Sequence, residues 1–178
     1  MSLPRNRRWH TVNPLLSGRM PAAVRGWALS TGSLTAGVRA LCPDRFRLRV
    51  LRQCWARPRP DEAAALRLKP GARAMLREVA LCCGDQPLIM ARTVIPAASL
   101  RGRQARLAAL GRRPLGELLF RDPSTKRGEF AVAHLTLGQA GLAAGRWRDT
   151  CVWGRRAVFR IGGVPLLVSE FFLPPLWR

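Results

Sequence analysis

Two charged side chains stand where apolar ones are expected. In Met75-Leu76-Arg77-Glu78-Val79-Ala80-Leu81, the two-residue alternation of a strand puts Arg77 on one face with Met75, Val79 and Leu81. In Leu166-Leu167-Val168-Ser169-Glu170-Phe171-Phe172, Glu170 shares a face with Leu166, Val168 and Phe172, and the other face carries Leu167, Ser169 and Phe171. An unpaired buried ion is costly, so each charge needs a partner. One account is structural: the two pair with each other or with other charges of the chain. The other is a pocket floored by a sheet. There Arg77 grips a carboxylate through a planar, charge-assisted contact, and a desolvated Glu170 meets a hydroxyl or ether oxygen. The helix start at Pro114-Leu115-Gly116 is a third candidate, because its backbone N–H groups have no intrahelical acceptor and can receive an anion. The plain alternative is an ordinary helix start with Leu115 in the core.

The elements that must position these groups are strands joined by tight turns. Residues 74–82 and 88–95 read as two strands around a turn at Cys83-Gly84-Asp85-Gln86-Pro87. Val158–Ile161 and Val164–Leu173 form a second hairpin around Gly162-Gly163, a loop that tolerates positive φ. Residues 46–55 alternate Phe46, Leu48 and Val50 with Arg47 and Arg49, the pattern of a half-buried strand. Ser33 is placed to cap a helix from Leu34, residues 103–111 read as helical, and Pro114 opens a helix through Phe120. Hairpins with helices segregated between them predict an α+β fold, with an antiparallel sheet of about six strands and flanking helices. The 178 residues suit a single domain, with residues 1–26 an irregular arm and residues 129–151 a loop extension that could alter an entrance.

The net charge of +21 raises the question of nucleic acid. All but two of the 31 basic residues are Arg, the exceptions being Lys69 and Lys126. They are scattered along the chain, with no zinc-finger spacing, RNA-binding motif or basic heptad, so a bias toward Arg explains the charge and no specific nucleic-acid partner is expected. Steering of an anionic substrate would follow as a by-product. The five cysteines, at 42, 54, 82, 83 and 151, form no CxxC pair and are expected to be free thiols in a reducing cytosol. No apolar run approaches the roughly 20 residues of a membrane helix. The first 43 residues lack Asp and Glu, as a transit peptide does, but the whole chain is acid-poor; a mature cytoplasmic N-terminus is expected. No metal-ligand cluster or Gly-rich phosphate loop is visible, so no cofactor is expected. His10 and His134 lie in the arm and in the poorly patterned segment, and neither is needed for chemistry.

The same stretches resemble the chorismate pyruvate-lyase family of ubiquinone synthesis. The matching segments begin with Trp27 through Thr35, Leu76-Arg77-Glu78-Val79 and Ala91-Arg92-Thr93-Val94-Ile95-Pro96. Pro114-Leu115-Gly116 with Leu118-Leu119-Phe120, Trp153-Gly154-Arg155-Arg156, and Pro165-Leu166-Leu167 with Glu170 to Pro174 complete them. Order and spacing hold over residues 27–120 and 153–174, and the specificity lies in six segments in sequence rather than in any one. The resemblance implies a monomeric, cofactor-free cytoplasmic lyase that splits chorismate into 4-hydroxybenzoate and pyruvate. It implies ligand contacts at Leu34, Arg77, Leu115 and Glu170, with Arg77 and Glu170 carrying the chemistry. Leu34 departs from the family pattern, where Met is the familiar residue. The competing reading is a non-catalytic binding domain for an aromatic carboxylate. Effector domains of some transcription regulators resemble the same fold, although they normally follow a winged-helix domain for which residues 1–26 are too few.

Overall fold

The computed structural model describes residues 9–177. Its elements in chain order are β1 His10–Thr11, α1 Pro14–Gly18, α2 Ala22–Ala28, α3 Leu34–Leu41, β2 Phe46–Ala56, α4 Pro60–Ala65, β3 Ala74–Cys83 and β4 Gln86–Pro96, followed by α5 Leu115–Arg121, β5 Lys126–Arg127, β6 Ala131–Thr136, β7 Cys151–Ile161 and β8 Val164–Phe172. A 3-10 turn run at Gly102–Ala109 fills the stretch expected as a helix. The strands form one antiparallel sheet in the order β1-β6-β7-β8-β4-β3-β2, with β5 added beside β7. The α+β architecture is as the hairpins predict. The sheet has eight strands rather than about six, because β1 and β5 are two-residue strands too short to show any periodicity.

Local chemistry fixes the two central hairpins. Cys83 pairs with Gln86 around Gly84-Asp85, and Ile161 pairs with Val164 around Gly162-Gly163. Gly162 and Gly163 have φ of 57° and 84°, a backbone that few side chains tolerate. Ser33 caps α3 as expected, its Oγ accepting from the Ala36 N–H at 3.3 Å.

Three expectations need correction. The arm is not irregular over its described part: α1 and α2 form there, and Met20, Val24 and Ala28 are buried in the core with Val38 of α3. The first eight residues lie outside the described residues. Residues 129–151 are not an extension at the pocket. They supply β6, and residues 137–150 fold over the opposite sheet face, burying Leu137 and Leu142 with Cys82, Met90 and Phe171. The spaced glycines suggested a loose loop, yet Gly138 and Gly141 serve a tight turn in which the Gly138 N–H donates to Arg148 O at 2.7 Å. Finally, not all cysteines are free. Cys42, just after α3, is bonded to Cys83 at the end of β3, at a sequence separation of 41. Cys54, Cys82 and Cys151 are free thiols.

The opposite face also shows what a structural arginine looks like in this fold. Arg92 of β4 is buried against two carboxylates: Nε donates to Glu62 of α4 at 2.6 Å, and Nη1 pairs with Glu78 of β3. Burial alone would lower its pKa, but the two carboxylates outweigh it and raise the pKa above the usual arginine value.

Candidate active site

The pocket lies on the face of the sheet covered by the helix starts. Register across the strands sets its floor. One row runs Gln53, Arg77, Thr93 and Val168, and the next runs Val79, Ala91, Glu170 and Arg155. Thr93 and Ala91 are the small members, and they leave room between Arg77 and Glu170. The roof is the N-terminal end of α3, with Ser33, Leu34 and Thr35, and that of α5, with Pro114, Leu115 and Gly116. The two helix starts meet closely. A Cβ on Gly116 would lie 3.4 Å from Thr35 Oγ1 and 3.5 Å from Ser33 Oγ. The cavity between floor and roof has a volume of about 50 Å³.

All four residues expected at the site, Leu34, Arg77, Leu115 and Glu170, line this one pocket. Leu34 and Leu115 are both largely buried, so Leu115 serves the apolar wall as well as standing first in its helix. No side chain caps that helix, which leaves its first N–H groups without a side-chain acceptor.

Arg77 is 2% exposed and meets only neutral acceptors. Its Nη1 donates to Gln53 Oε1 at 3.0 Å and its Nη2 to Arg113 O at 3.2 Å. Among the described residues it pairs with no carboxylate, in contrast to Arg92. Burial lowers its pKa from the usual arginine value, yet a guanidinium remains charged at neutral pH. The structure therefore places an uncompensated cation against the pocket. Such a group is stabilised by an anionic ligand rather than by the protein alone.

Glu170 does not pair with Arg77. Its Oε2 accepts from Arg155 Nε at 2.8 Å, and 20% of its side chain stays exposed toward the cavity. Arg155 is otherwise occupied, its Nη1 donating to Ser30 O at 2.6 Å and Trp27 O at 3.3 Å, which ties the C-terminal end of α2 to the floor. Of the two structural accounts raised for Glu170, mutual pairing with Arg77 is thus excluded and pairing with another charge is correct. Arg155 was readable in principle. Counting back from the Gly162-Gly163 turn brings Arg155 opposite Glu170. The sequence reading also missed Arg127, which lines the pocket from the two-residue strand β5, and no periodicity could have pointed to it.

Strand spacing gives the scale. With neighbouring strands about 4.8 Å apart and a rise of about 3.3 Å per residue, two strands across and two residues along put the Arg77 and Glu170 Cα atoms roughly 12 Å apart. A para-substituted benzene ring with a hydrogen bond at each end can bridge side chains set at that distance.

The chain is similar in structure to the C-terminal domain of the histidine utilization repressor from Pseudomonas syringae pv. tomato str. DC3000, with a TM-score of 0.56 and 14% identity over 75% of this chain and 95% of that one. It is also similar to a GntR-family transcriptional regulator from Bacillus cereus, with a TM-score of 0.55 and 12% identity over 76% of this chain and 96% of that one. At these identities the likeness concerns the fold. Sequence carries the assignment further. The description of the chorismate lyase family matches residues 3–178, and the chain belongs to that family. A "probable chorismate pyruvate-lyase" of Methylococcus capsulatus is 46% identical over 85% of this chain and 94% of its own length. One from Halorhodospira halophila is 41% identical over 96% of this chain and 92% of its own. Among the described residues, no helix is long and apolar enough to cross a membrane.

Proposed function

We propose that the protein is a chorismate pyruvate-lyase, converting chorismate into 4-hydroxybenzoate and pyruvate for ubiquinone synthesis. The observation that carries the reading is Arg77, a buried guanidinium without a carboxylate partner, set across a small-residue floor from Glu170. Arg77, with N–H groups at the start of α5, binds the ring carboxylate. Glu170 takes the far end of the ring, at the C4 hydroxyl.

The reaction needs little covalent help. The C4 proton is lost, the C3–O bond breaks, and its electrons leave on enolpyruvate, which takes up a proton to become pyruvate. The ring becomes aromatic, which makes the step strongly downhill. What the protein supplies is orientation and stabilisation of developing charge. Glu170 can hold the C4 hydroxyl and pass the C4 proton onward, while Arg155 keeps its carboxylate aimed. The pocket is built from one chain, which supports action as a monomer. A dianionic substrate does not cross a bilayer unaided, which supports a cytoplasmic reaction where chorismate is made.

The lining also predicts independence from metal. Three guanidiniums (Arg77, Arg127 and Arg155) face one carboxylate that is already paired, a field that repels a cation. Turnover in a chelator should equal turnover without it. Loss of activity in the chelator, restored by a divalent ion, would contradict this arrangement.

The shared fold supports a second reading, a binding domain that holds an aromatic carboxylate without reacting. It predicts tight binding of 4-hydroxybenzoate and no consumption of chorismate.

A further inference from the structure

Beyond its share in the positive field of the pocket, Arg127 has been given no ligand to hold, yet its position is specific. It sits on β5 opposite Phe159 of β7 and lines the pocket from the Glu170 side, away from Arg77. Its Nη1 donates to Thr31 O at 2.9 Å, and its guanidinium lies 4.4 Å from the centroid of the Phe130 ring. Arg155 shares that ring, at 4.7 Å. Among the described residues Arg127, like Arg77, has no carboxylate partner. Arg155 is different, being held by Glu170 and two carbonyls. The pocket thus carries two uncompensated guanidiniums, one at each end.

We propose that Arg127 is a second carboxylate subsite, reserved for the side-arm carboxylate of an aromatic or cyclohexadienyl dicarboxylate. The inference rests on the lyase reading and deepens it. Chorismate has two carboxylates, one on the ring and one on the enolpyruvyl arm, and the arm is attached beside C4, the end assigned to Glu170. With Arg77 on the ring carboxylate, the arm carboxylate falls on the Arg127 side. Thr31 O and the face of Phe130 fix the guanidinium in orientation while leaving donors for a ligand. Burial and the nearby Arg155 lower the Arg127 pKa, and Glu170 offsets this in part; an incoming carboxylate relieves both costs. The product 4-hydroxybenzoate has no arm, so Arg127 separates substrate from product. It holds the enolpyruvate fragment as charge builds on its oxygen and loses its hold on the ring once that bond is broken.

Calorimetry with two stable ligands tests this without turnover: 4-methoxybenzoate, and 4-(carboxymethoxy)benzoate, which adds the arm carboxylate. The wild-type protein should bind the dicarboxylate about tenfold more tightly than the methoxy compound, the effect of one partly exposed charge-assisted contact. Arg127→Gln should erase that preference, leave 4-hydroxybenzoate affinity within about twofold, and raise KM for chorismate about tenfold. Arg127→Lys, which keeps the charge without the planar fork, should retain part of the preference. Equal losses for all ligands in Arg127→Gln, or no preference in the wild type, would overturn the subsite. The wild-type ligand pair decides the matter even if a variant does not fold. A wild type that prefers the dicarboxylate but leaves chorismate intact would sink the lyase reading and keep the subsite. One that binds none of these ligands would sink both.

Discussion

Glu170→Gln should give a folded protein whose turnover of chorismate has fallen by about a hundredfold to ten-thousandfold, the usual contribution of a positioned proton-transfer group. Glutamine keeps the shape and can still hydrogen-bond, but it cannot carry a proton. The structure sharpens the stability side of this experiment. Glu170 is not the partner of Arg77, so the change strands no cation at the Arg77 site. Its partner Arg155 keeps two carbonyl acceptors, Ser30 O and Trp27 O, and can still donate to the glutamine oxygen. Glu170 is also partly open to the cavity, so the loss of its charge is eased by water. Melting should therefore shift modestly. A variant that melts far earlier, and that turns over chorismate at the normal rate while still folded, would show that Glu170 holds the structure and does not carry the chemistry.

Arg77→Ala should weaken 4-hydroxybenzoate binding by about tenfold to a hundredfold, the range of one charge-assisted hydrogen-bonded contact of about 1.5–3 kcal/mol. Arg47→Ala and Arg49→Ala are the controls. Both side chains are exposed on β2, and neither lines the pocket. They contribute only to the long-range field of a chain with net charge +21, which salt screens. Calorimetry at moderate salt should show those two near wild type. Equal losses for all three would mean that the general field binds the ligand and would remove Arg77 from the site.

The parts of the fold legible in the sequence are those whose causes are local. The hairpins around Gly84-Asp85 and Gly162-Gly163 announce themselves by turn chemistry, and the cap at Ser33 by its hydroxyl. Arg77 and Glu170 stand out because period 2 puts a charge among apolar neighbours, and both do line the pocket. The same rule is silent about which buried arginine is functional. Arg92 also sits in an apolar stretch, and only the fold brings Glu62 of α4 to neutralise it. The illegible parts depend on distance in sequence. β1 and β5 are strands only because β6 and β7 offer them edges. The Cys42–Cys83 bond joins the end of a helix to the end of a strand across 41 residues. Residues 129–151 looked like a loop extension, yet they supply β6 and, over 137–150, cover the opposite face, where the Ala143 N–H donates to Glu78 Oε2 at 2.9 Å.

The most direct test of the central claim is a product balance. Purified protein incubated with chorismate, with no metal or nucleotide added, should release 4-hydroxybenzoate and pyruvate in equal amounts as chorismate disappears. Chorismate left intact by a folded protein that binds 4-hydroxybenzoate would contradict the account and leave a ligand-binding domain in place of an enzyme.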